Sequence, residues 1–204
     1  MKTPVIISAA AASAFILISL APGKLHTDSY KVDTKLSTIE WQAAKFTGKH
    51  NGEILFSSGE INSEHGKLTG FVEVDMTTIK NKDVESPEYK AKLENHLKSP
   101  DFFDVAKYPK TKFVITSAAP ITDKKEGGYT HTIKGNLTIK NKTNEISFDA
   151  IVNMIGNRAS CIGTVVIDRS KFDVKYGSKT FFADIGDKVI YDEFTLRFNV
   201  VAEK

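Results

Sequence analysis

The sequence predicts an all-β protein, an antiparallel β-barrel of about eight strands with one short inserted α-helix. Three observations carry this prediction. Apolar and polar residues alternate in segment after segment, the pattern of strands with one buried and one wet face. Clusters of turn-forming residues, "GKHNGE", "SEHGK", "KEGG" and "KNKTNE", separate those segments. One stretch, "ESPEYKAKLENHLKSP", changes to a helical period.

Taken in order, "HTDSYKVDTK" reads as a polar lead-in, and "LSTIEWQAAKF" then puts Ile39, Trp41 and Ala43 on one face. "KLTGFVEVDMTTI" sets Leu68, Gly70, Val72, Val74 and Met76 against Glu73 and Asp75. The helix is predicted over residues 86–98. Ser86 suits the N-cap, Pro87 the first helical position and Glu88 the first turn, while Tyr89, Leu93 and Leu97 form a stripe. Pro100 disfavours helical backbone at Ser99 and ends it. Strands follow in "TKFVITSA", "YTHTIKGNLTIK", "EISFDAIVNM" and "ASCIGTVVID". In "VIYDEFTLRFNVV", Ile190, Phe194, Leu196, Phe198 and Val200 share the last face. Alternation thus turns Trp41, Val72, Val74, Phe113, Phe148, Val152, Phe194, Leu196 and Phe198 toward an apolar interior. No linker, repeat or composition break divides residues 22–204, so one domain is expected.

The amino end reads differently. A basic start, Met1-Lys2, precedes an apolar run over residues 5–21, intermediate between the core of an export signal and a spanning helix. Residues 1–21 are therefore expected to be a signal peptide or an N-terminal anchor, with the barrel exported or periplasmic and membrane contact arising if the segment is not cleaved. With 28 Lys+Arg against 25 Asp+Glu the formal charge is +3 and scattered, which argues against nucleic-acid binding. Cys161 is the sole cysteine, so no intrachain disulfide forms and packing alone must hold the fold.

Chemistry-bearing motifs are absent from the sequence. The five histidines show no metal-ligand spacing, and there is no nucleophile elbow or phosphate loop. No metal, cofactor or catalytic residue is expected. "NKT" at Asn141–Thr143 fits a hairpin better than a glycosylation acceptor. His50, set among turn residues, is a candidate head-group contact at a rim. Arg169 in "VIDRSKFDVKYGS" has two readings: a loop pinned by an Arg–carboxylate pair, or an Arg meeting an anionic head group at a cavity mouth.

The least ordinary stretch is "HLKSPDFFDVAKYPKTKF", a connector with three phenylalanines. Phe102 and Phe103 either plug a small core or form the lid or wall of a ligand cavity.

This stretch, with "GFVEVDMTTI", "GNLTIKNKT", "IDRSKFDVKYG" and "IGDKV" in the same order, resembles the YceI-like proteins, which are bacterial, lipocalin-like and polyisoprenoid-binding. The resemblance runs from about residue 30 to 200 and departs at Asp173, where the family often has Gly. It implies a lipocalin-like barrel holding the long apolar tail of an isoprenoid or similar amphiphilic lipid, in a protein exported to the periplasm. The expected function is non-catalytic binding, storage or transport of that lipid. Its rivals are an enzyme acting on a lipid or quinone, and a structural envelope protein with a filled core.

Overall fold

The structure, a computed structural model, describes residues 27–123 and 128–204. The export-signal segment, residues 1–21, and most of the "KEGG" turn lie outside the described residues.

The chain forms β1 (Asp28–Val32), β2 (Thr38–Lys45), β3 (Gly48–Glu64), β4 (Lys67–Asn81), α1 (Pro87–Lys98), β5 (Lys110–Pro120), β6 (His131–Ile139), β7 (Lys142–Ile155), β8 (Arg158–Asp168) and β9 (Ile190–Glu203). All strand pairs are antiparallel, in the order β1-β3-β2-β9-β8-β7-β6-β5-β4, and β3 also pairs with β4. That last pairing closes an eight-stranded barrel and removes the free edges an open sheet would present. β1 is not a ninth stave. It pairs with β3 at Asp28↔Ser63 and with β9 at Val32↔Ala202, continuing the lane of β2 beyond the break at residues 33–37. Asp33 stabilises that break by accepting the Lys35 and Leu36 amides, an Asx turn.

Two expectations are corrected here. The polar lead-in contains β1, whose Tyr30 is 3% exposed; with only Tyr30 and Val32 apolar, it is too short to show a period. "GKHNGE" is strand rather than turn. The chain reverses at Phe46-Thr47, and β3 runs 17 residues from Gly48, because its first polar residues, Lys49, His50, Asn51 and Glu53, have partners across the β2 ladder. The "SEHGK" and "KNKTNE" turns sit where the sequence puts them. His65 and Gly66, both with positive φ, join β3 to β4, the backbone a tight hairpin requires.

The strand directions give the barrel two unlike ends. One carries only short described turns, at residues 65–66 and 156–157, besides the β5–β6 connection. The other, called here the capped end, carries the β2–β3 turn, α1 and its following loop, and the long β8–β9 connection. α1 begins as read, with the Ser86 hydroxyl accepting the Tyr89 amide and Pro87 in the first turn. Its stripe is narrower than read: Tyr89 is 65% exposed, and only Leu97 packs on the core. A carboxylate does part of the docking instead, Glu94 Oε1 taking the Asn81 amide at 2.8 Å. Asp173, where the family often has Gly, adopts a left-handed backbone (φ 60°), which Asp tolerates better than most residues.

Candidate ligand cavity

The barrel interior is hollow. One lobe of about 150 Å³ occupies the middle of the barrel and the end away from the cap. A second lobe, about 130 Å³, extends to the capped end. Ile39, Val74, Thr111, Leu137, Ile167 and Leu196 border both, so the two lobes adjoin within the barrel lumen.

Every interior residue inferred from alternation borders this lumen. Val72, Val74, Phe113, Phe148, Val152, Leu196 and Phe198 line the first lobe; Trp41 and Phe194 line the second. Alternation missed Ile54 and Phe56, which also line it. Three consecutive apolar residues, Ile54-Leu55-Phe56, carry no period, and both outer members point inward while Leu55 is exposed.

Glycine makes room for the interior rings. Trp41 pairs directly with Gly52, and a β-carbon there would lie 2.5 Å from the indole. Gly163 bears the same relation to Phe198, and Gly135, paired with Ile115, likewise leaves room for the Phe113 ring. The rings therefore lie against bare backbone instead of standing into the lumen. Phe113, Phe148 and Phe198 form a chain, with centroids 5.7 and 5.4 Å apart.

Polar atoms are few. Trp41 Nε1 and Thr111 Oγ1 are buried with no hydrogen-bond partner among the described residues. The Cys161 thiol faces the first lobe, and burial pushes its pKa up to about 11. Such a thiol is protonated near neutrality and a poor nucleophile. Among the described residues no group of His, Cys, Asp and Glu is arranged to hold a metal ion.

At the capped end the two connector phenylalanines divide their roles. Phe102, 6% exposed, is packed by His96 at 5.0 Å, Tyr176 at 5.3 Å and Phe103 at 6.5 Å between centroids. It closes the barrel. Phe103 is only partly buried and packs against both core clusters as part of the lumen wall. Pro100 and Pro109 frame this loop, and the Pro109 carbonyl accepts the Met76 amide at 2.9 Å, fixing it to β4.

Arg169 borders the second lobe, and its geometry fits the loop-pinning reading. It is 4% exposed, and its guanidinium donates to the carbonyls of Val174, Tyr176, Ile190 and Tyr191. The Asp192 carboxylate lies 3.3 Å away as an ion pair. Burial lowers the pKa of Arg169, while Asp192 and Asp168 counteract that fall. With its donors turned onto these groups, Arg169 pins the β8–β9 connection to the barrel end. His50 lies apart from the lumen. It borders neither lobe, and its Nδ1 lies 2.8 Å from Asp83 Oδ2. Asp83 also accepts from the Asn51 amide and from Asn81, so this cluster ties β3 to the end of β4.

A closed antiparallel barrel around an apolar lumen defines a cavity-bearing barrel protein. The chain belongs to the YceI-like domain family, whose model matches residues 30–202. A UPF0312 protein of Shewanella denitrificans (strain OS217) is 30% identical over 170 residues, covering 76% of this chain and 82% of its own. A UPF0312 protein of Pseudomonas putida (strain W619) is 27% identical over 167 residues, covering 76% and 81%. Among solved structures, Burkholderia cenocepacia BcnA superposes with a TM-score of 0.63 at 23% identity, covering 83% of this chain and 98% of its own. A polyisoprenoid binding domain from Saccharophagus degradans gives 0.59 at 12% identity, covering 85% and 97%. Both share the fold.

Proposed function

We propose that the protein holds the apolar tail of an isoprenoid or other long-chain amphiphilic lipid in the barrel lumen, without catalysis, and stores or carries it outside the cytoplasm. One observation carries the reading: two adjoining apolar lobes whose interior rings are held against glycine backbone and remain only partly buried. A filled core would bury them. Burial of a hydrocarbon tail is non-directional, at ~25 cal/mol per Å² removed from water, and suits a wall with few polar atoms. The polyisoprenoid binding domain of Saccharophagus degradans, which shares the fold, supports the same class of ligand. The apolar run at residues 5–21 supports export.

The decisive experiment is mass spectrometry of lipid extracted from the purified protein. A stoichiometric long-chain species is expected; protein that carries none and takes none up from micelles would reject the reading. Turnover of the extracted lipid on incubation would favour an enzyme. Export is tested by fusing a reporter active only in the periplasm after Lys204, where activity is expected.

A further inference from the structure

Exposed aromatic rings gather at the capped end. Phe46, at the tip of the β2–β3 turn, is 65% exposed; Tyr176, Phe181, Phe182 and Tyr191, on or beside the β8–β9 connection, are 37–49% exposed. Specific bonds hold these pieces together. The Phe46 amide donates to the Val189 carbonyl, and Arg169 gathers the carbonyls of Tyr176, Ile190 and Tyr191. Thr180 Oγ1 donates to Asp192 Oδ2 at 2.7 Å. The cluster is continuous with the lumen: Tyr191 borders the second lobe, and Tyr176 packs on Phe102, which closes it. Much of this aromatic surface stays in water, and concentrated exposed apolar surface marks an interaction site.

We propose that this end docks on a lipid bilayer, its rings at the headgroup boundary, so that a tail passes between membrane and lumen beside Tyr191 and Phe102. The inference rests on the tail-binding reading. Two observations select a bilayer over a protein partner. The lobe that would receive the tail ends at Phe102 and Tyr191, beside the same cluster. Lysines also interleave with the rings. Lys45 and Lys49 flank Phe46 with no acid between them, and Lys175, Lys179 and Lys188 are exposed along the connection, whose acids are Asp173, Asp184 and Asp187. Aromatic rings with lysines that extend past them are the composition of membrane-interface segments, and the basic excess fits an anionic surface.

Because the apolar amino-terminal segment would itself bind vesicles, the test must report position. Ala183→Cys places one thiol in the cluster and Ile162→Cys one on the barrel wall; each is labelled with an NBD fluorophore in the full-length chain. Both are made in a Cys161→Ser background, so that each chain carries a single thiol. With vesicles of phosphatidylcholine and phosphatidylglycerol carrying doxyl-labelled acyl chains, the Ala183→Cys label is expected to shift blue and be quenched, and the Ile162→Cys label to be unaffected. Adding Phe181→Ser and Phe182→Ser should weaken the response at least tenfold. Lys179→Glu with Lys188→Glu should weaken it on anionic vesicles more than on pure phosphatidylcholine. No quenching at Ala183→Cys, equal quenching at both positions, or an unchanged response in the double serine variant overturns the proposal. So does a blue shift that grows with protein concentration without vesicles, which assigns the rings to a second copy. Uptake of cis-parinaric acid by the same proteins is scored separately: if the wild type takes up none, the tail-binding reading fails whatever the vesicles show.

Discussion

Gly163 stands directly across the β8–β9 ladder from Phe198, and a β-carbon on it would lie 2.7 Å from the ring. The Ala150 side chain and Asp149 carbonyl close the same space at 3.3 Å. Gly163→Leu must therefore drive Phe198 into the lumen or move backbone. We expect a loss of roughly 1–3 kcal/mol, the usual cost of overpacking, together with reduced tail uptake. Urea denaturation and lipid recovery measure the two effects. Wild-type values for both would mean that the ring does not depend on the missing side chain.

Phe102 and Phe103 should separate in their effects. Phe102→Ala removes a ring packed on His96, Tyr176 and Phe103, and a cost of ~3–5 kcal/mol is expected. Phe103→Ala widens the lumen at a partly buried position, so it should cost less stability and accelerate lipid release. Chemical denaturation and a release assay on each single variant distinguish plug from wall; equal stability losses and unchanged release in both would make the pair plain core.

Replacing Arg169 by Met leaves the Asp192 charge and several carbonyls without their cation. Breaking a buried pair in this way typically costs ~3–5 kcal/mol, and Lys cannot reproduce the spread of the planar fork. Thermal unfolding of Arg169→Met and Arg169→Lys should show both well below wild type. If Arg169→Met unfolds like wild type but loses lipid selectively, the head-group role is restored.

Asp83 gives the acid limb of stability a definite sign. Burial opposes its ionisation, but hydrogen bonds from the Asn51 amide, His50 and Asn81 outweigh that and hold its pKa below the ordinary value. A depressed carboxylate stabilises the fold above its unfolded pKa of about 3.9. That contribution is lost as pH falls through the lower folded value. Asp83→Asn should therefore lower stability at neutral pH and flatten the decline below about pH 4. A denaturation series across pH that leaves the acid limb unchanged would assign it to other carboxylates.

Period-two alternation determined the barrel class and the inward set, because a strand with one buried face repeats its apolar residues at every second position. Trp41, Val74, Phe113 and Phe198 were legible for that reason, as were the helix start at Ser86-Pro87 and its stop before Pro100. β1 and the beginning of β3 were not. Tyr30 and Val32 are two residues in a polar stretch, and the polar residues of β3 look like a turn until β2 pairs with them.

The candidate site divides along the same line. Composition and alternation identified an apolar interior with one basic and one aromatic feature near its end. Whether that interior is filled depends on distances between strands remote in sequence, and on glycines set opposite rings, Gly52 under Trp41 and Gly163 under Phe198. The roles of Arg169 and His50 depended on the same long-range closure. A guanidinium reads as available for a ligand until folding brings four carbonyls and a carboxylate around it, and a histidine reads as a rim residue until Asp83 arrives from the end of β4. The sequence by itself determined which faces are apolar and most of the places where the chain turns, since both follow from local periodicity and backbone preference. Only the tertiary structure decided that the barrel is hollow and which polar groups are already occupied, because packing and hydrogen-bond satisfaction are properties of residues that meet only when the β3–β4 ladder closes.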